Sequence, residues 1–116
     1  MTPELEKIRA FVFAKHISDA IPAMEPELEC ARGYEARVGE LVNEAEHTLT
    51  LAKNKAVETY AFVDGYTETI LKAKINAAIA GETLQLQTLK NIKASLHNVQ
   101  MELMHAIKTR REEPKF

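Results

Sequence analysis

Four glycines and four prolines in 116 residues leave long stretches of chain without a break, and this scarcity constrains the fold more than any other feature. Gly and Pro are the strongest local punctuators of structure, so the segments between them read as long helices and the chain as all-α. Thr2-Pro3-Glu4 is a helix start: a hydroxyl that can cap, a proline whose missing N–H does no harm in the first turn, and carboxylates Glu4 and Glu6 at the positive end of the dipole. Leu5, Ile8, Phe11, Val12 and Ile17 then recur at helical spacing up to Ile21-Pro22, which predicts a helix over 3–20. Met24-Glu25-Pro26-Glu27 repeats the start signal, for a second helix over 26–63. Asp64-Gly65 favours a tight turn with positive φ at the glycine, and Thr67 can cap a third helix over 67–112. Glu112-Glu113-Pro114-Lys115-Phe116 reads as a frayed end.

A corner near Gly65 pairs the two long helices as an antiparallel hairpin in which partner numbers sum to about 131. That register sets Ala56 against Ile75, Ala45 against Leu86, Val42 against Leu89 and Leu28 against Leu103. The stripe Val42, Ala45, Leu49, Ala52, Ala56, Tyr60, Val63 has the mixed three-and-four spacing of a coiled-coil seam. Gly81 is the competing corner, but folding there leaves residues 26–50 without a partner in the hairpin. Charge agrees with the first choice: residues 1–66 carry 12 acids and 7 bases, a net −5, and residues 67–116 carry 5 acids and 8 bases, a net +3.

At 1.5 Å per residue the long helices span about 57 and 69 Å and the first only about 27 Å, too short to cover the hairpin. Leu84, Ile92, Val99, Met101, Met104 and Ile107 then remain as an apolar face. The expected cover is a second copy, giving a homodimer in a four-helix or six-helix bundle.

A net charge of −2 excludes a polycation that holds nucleic acid by bulk charge. One cysteine excludes a disulfide framework and a Cys-rich zinc site. The longest apolar run, Ala10–Ala14, is too short for a membrane span, and the expectation is a cytoplasmic protein with no membrane contact and no cofactor.

Glu44-Ala45-Glu46-His47 and Glu102-Leu103-Met104-His105 both have the Glu-x-x-His spacing used by di-metal carboxylate bundles. The hairpin register holds them apart in one chain, so Glu44, His47, Glu102 and His105 form a metal site only if a dimer joins them. Solvated helix faces are the favoured reading. His16 and His97 have no acidic or nucleophilic neighbour at a useful spacing, and Cys30 reads as a buried or half-buried inert thiol. Met101 and Met104 form a soft patch of the kind used by adaptable binding surfaces. Lys108, Arg110 and Arg111 beside it, with Lys90, Lys93 and Lys115, are the basic cluster that a nucleic acid would touch, although Glu112 and Glu113 dilute it. No Gly-rich phosphate loop and no Ser/His/Asp arrangement is present.

Residues 53–113 resemble small all-helical phage-encoded accessory proteins of recombination and replication gene regions. The likeness lies in a Lys/Ala helix with Ala56, Tyr60 and Ala61, a glycine turn followed by Thr67-Glu68, a Lys72-Ala73-Lys74 segment, and a long Glu/Gln/Leu helix finishing in Arg110-Arg111. It implies a phage or mobile-element protein that binds another protein or a DNA intermediate, and it carries over no catalytic residue. The sequence thus points to a non-enzymatic protein-binding factor, with Met101, Met104, Ile107, Lys108, Arg110 and Arg111 as contact residues. The alternatives are a nucleic-acid accessory factor using the basic end and a metal-binding dimeric bundle.

Overall fold

The computed structural model describes residues 2–113. They form four helices, α1 (Pro3–Phe13), α2 (Ile21–Tyr60), α3 (Glu68–Ala78) and α4 (Ala80–Glu112), and no strand. The fraying expected for the last residues falls partly on 114–116, outside those described. Contacts divide the chain into two compact units, one of residues 1–39 with 91–116 and one of residues 40–90.

Both expected capping threonines act as such. The Thr2 hydroxyl accepts the Leu5 N–H at 3.3 Å and the Thr67 hydroxyl accepts the Ile70 N–H at 3.2 Å. The helix expected over 3–20 stops at Phe13, because Ala14 is extended and returns its N–H to the Phe11 carbonyl. Conversely, α2 starts at Ile21 rather than at residue 26 and contains Pro26. Pro26 removes one backbone hydrogen bond from the early helix; burial of Met24, fully inaccessible, and of Leu28 against α4 outweighs that loss.

In the first unit, Met24, Leu28 and Ala31 of α2 form one core cluster with Val99, Leu103 and Ile107 of α4, with Phe11, Ile21 and Ala106 packed at its edge. Ile8, Val38 and Leu96 are also fully buried. Side-chain neighbours fix the register: Arg111 meets Glu25, His97 meets Glu35, and the Lys93 side chain passes beside Gly39. One number rises as the other falls, so α2 and α4 run antiparallel here. Ile92, Val99 and Ile107, expected on an outward dimer face, are instead buried within the chain.

The second unit is more thinly packed. Val42, Ala45 and Ala56 of the expected seam are buried, together with Ile79, Leu86 and Leu89, while Leu49, Ala52 and Tyr60 are half-buried. Val63 is exposed because α2 has already ended at Tyr60. Gly65 lies in the connection to α3 with φ +86°, the left-handed conformation that only glycine adopts without strain. Gly81 lies inside α4, and the helix expected to be continuous over 67–112 is interrupted beside it, at Ile79. Ile79 bonds back to the Ile75 and Ala77 carbonyls and its own carbonyl accepts the Thr83 N–H, which carries the backbone across the break. A β-branched residue turned into the core and a glycine two positions later both weaken helix at that point.

Candidate functional site

The start of α2 and the end of α4 enclose an open groove of about 840 Å³ in the first unit. Its floor is apolar, from Pro22, Pro26 and Leu28 on α2 and Met104 and Ile107 on α4. Glu25, Glu29 and Arg32 edge it on the α2 side, and Lys108, Arg111 and Glu112 on the α4 side. Helical spacing produces this division: Met104, Ile107, Lys108 and Arg111 follow one another at intervals of three, one and three along one face. The groove is therefore a soft apolar trough between two edges of mixed charge, joined across it by the Arg111–Glu25 pair.

Four of the six expected contact residues line it: Met104, Ile107, Lys108 and Arg111. Met104 is 43% exposed, whereas Ile107 is a core residue that shows the groove only an edge. Met101 is exposed but does not line the trough. Arg110 points elsewhere, donating to Asp19 at 2.9 Å and to Glu113 at 2.6 Å. The Glu113 hydrogen bond, reinforced by the charges of Glu113 and Asp19, pushes the Arg110 guanidinium above its usual range. Arg111 donates to Glu25 at 2.8 Å across the groove. Both arginines of the expected nucleic-acid contact are thus engaged by carboxylates.

No family model, curated protein or solved structure matches the chain.

The two Glu-x-x-His motifs fall in different units, Glu44 and His47 in the second and Glu102 and His105 in the first, and all four side chains are exposed. Among the described residues no group of three or more His, Cys, Asp or Glu side chains converges as metal ligands would. Cys30 is exposed rather than buried or half-buried. It faces Tyr34 one turn on, whose phenol is pushed up by burial and then by the Cys30 neighbour.

His16 is the polar residue that sequence reasoning missed. Its side chain is 6% exposed, with Nδ1 2.5 Å from the Glu27 carboxylate and Nε2 2.5 Å from the Phe11 carbonyl. The ring also stacks on Phe11 at 4.2 Å, and Phe11 meets Tyr34 edge-on at 5.1 Å. Neighbours at helical spacing gave no sign of this, because Glu27 is eleven positions away and reaches His16 only through the loop. His97, likewise read as isolated, lies 3.6 Å from Glu35, which also accepts a hydrogen bond from the buried Gln100.

A second tie holds α1 to α2: Arg37 forks onto Glu4, with Nε to Oε1 at 2.5 Å and Nη2 to Oε2 at 3.3 Å. The Arg37 hydrogen bond holds the Glu4 carboxyl below its ordinary value of 4.5. A lowered folded-state value means that the tie stabilises the fold above the unfolded-state pKa and is lost as pH falls through the folded one. Amides of α1 should therefore exchange a few-fold faster below pH 4 than at pH 6, relative to amides of the α2–α4 core. Glu4→Gln should abolish this selective acid response, and an unchanged response would assign it to another group.

Proposed function

We propose that this chain is a non-enzymatic, dimeric protein-binding factor that occludes or scaffolds a partner, in the manner of the phage and mobile-element accessory proteins it resembles. The observation that carries the reading is the trough beside Met104, where an adaptable apolar floor lies between charged edges. An amphipathic helix of a partner protein fits this chemistry, with apolar anchors on the floor and charged flanks of both signs along the mixed-charge edges. The nucleic-acid alternative draws less support, since a phosphate would have to displace Asp19, Glu113 and Glu25 from the two arginines.

Affinity capture from the native host with the intact chain identifies the partner, and variants then locate its site. Met104→Glu should weaken capture by about tenfold or more, while Met101→Ala, outside the trough, should leave it unchanged. Equal capture by the wild type and Met104→Glu would overturn the groove. DNA binding that falls steeply with salt and drops in Arg110→Ala/Arg111→Ala would install the alternative in its place.

A further inference from the structure

α3 and the first turn of α4 carry two apolar seams. Leu71, Ile75 and Ile79 face the interior of the second unit, half-buried to buried. On the opposite side Ile70, Ala73, Ala77, Ala80 and Leu84 recur at intervals of three, four, three and four, the spacing of a coiled-coil contact line. All five are exposed, Ile70 by 41% and Leu84 by 69%. Not one of the 11 residues of α3 is buried, and a helix of that length is marginal in water without packing. A helix apolar on both sides is one that is covered on both sides.

We propose that a second copy of this chain covers the seam, antiparallel to the first, about a two-fold axis passing at Ala77. This deepens the dimer reading above by committing it to one face, and it is independent of the groove beside Met104.

Two observations favour a second copy over a foreign helix. The two-fold sets Ile70 opposite Leu84 of the second copy, Ala77 opposite itself and Ala73 opposite Gly81, so large meets large and small meets small where two backbones can approach closely. Its flanks, Thr69, Asn76, Gly81 and Thr83, are uncharged, and Lys74 is the one cation beside it. The two-fold places Lys74 opposite Ala80 of the second copy, so identical copies meet without like charges in contact.

The test uses the full chain. Sedimentation velocity should show a dimer for the wild type, and Leu84→Glu should weaken it about 100-fold or more by placing an unpaired charge in an apolar contact. Leu84 is exposed, so helix content by circular dichroism should be unchanged in that variant. In a Cys30→Ser background, Ala77→Cys should cross-link quantitatively between chains on mild oxidation, since residue 77 faces itself across the axis, and Lys72→Cys should not. A wild type that stays monomeric at the highest concentration sedimentation velocity can read overturns both the seam and the dimer reading. A dimer that survives Leu84→Glu and fails to cross-link at residue 77 overturns the seam alone and leaves the dimer on another face.

Discussion

Replacing Leu103 by alanine should lower the free energy of unfolding by about 2–5 kcal/mol, the largest effect expected of any conservative truncation in the chain. Leu103 is completely inaccessible, and it belongs to the cluster that joins Met24, Leu28 and Ala31 of α2 to Val99 and Ile107 of α4. Deleting its branched end removes apolar contact from both helices at once and leaves a cavity whose walls are held by two helices of 40 and 33 residues, which limits collapse. Small domains have only about 5–15 kcal/mol in total, so the loss is a large share of the whole. Chemical denaturation followed by circular dichroism measures it directly. Met101→Ala serves as the internal control: Met101 is 50% exposed on the same helix, and truncation there should stay within about 0.5 kcal/mol. A loss below 1 kcal/mol at Leu103, on the scale that separates core from surface sites, would mean that the core is not organised around this cluster.

The distribution of burial explains which features the sequence revealed. Helix starts at Thr2 and Thr67 and the turn at Gly65 are set by local chemistry, a hydroxyl before a free N–H or a residue without Cβ, and the structure places all three where that chemistry requires. Seam residues Val42, Ala45 and Ala56 were legible for a related reason, since periodicity reports which face of a helix turns inward. Boundaries decided by tertiary contact were not legible. Pro26 looked like a helix start and lies inside α2, because burial of Met24 and Leu28 draws the helix five residues further toward the N-terminus of the chain, to Ile21. Ile17 fits the period of α1 but lies beyond its end at Phe13.

The candidate site divides in the same way. The run Met104, Ile107, Lys108, Arg111 could be read along one helix face, whereas the opposite wall, Pro22, Glu25, Pro26 and Glu29, could not, because no periodicity says which distant segment a face will meet. The same limit hid the pairing of Arg110 with Asp19, 91 positions away, and of Arg111 with Glu25, 86 positions away. Those pairings matter more than the formal count of cations, since a guanidinium already bonded to carboxylates offers less to a phosphate than a free one.

His16→Ala should be the most damaging polar substitution, costing about 2–3 kcal/mol. The imidazole performs three tasks in the loop between α1 and α2. Through Nε2 it meets the Phe11 carbonyl, which also accepts the Ala14 N–H at the end of α1; through Nδ1 it reaches Glu27; and its face packs on Phe11. Removing it takes a polar partner from the half-exposed carboxylate, leaves the carbonyl with the Ala14 N–H alone, and loses the ring packing of a side chain that is 6% exposed. Two further variants separate these contributions. His16→Phe keeps the stacking and loses both polar contacts, so it should recover part of the loss; Glu27→Gln keeps a polar partner for Nδ1 and should cost less than His16→Ala. Hydrogen exchange gives the spatial signature: protection in His16→Ala should fall first in the final turn of α1, around Phe11–Phe13, while amides around Leu96 and Leu103 lose only what the global stability loses. If His16→Phe is as stable as the wild type, packing alone fixes the loop and the two polar contacts contribute nothing measurable. If His16→Ala instead lowers protection uniformly, the end of α1 does not open separately from the core, and the ring is a core residue rather than a clasp.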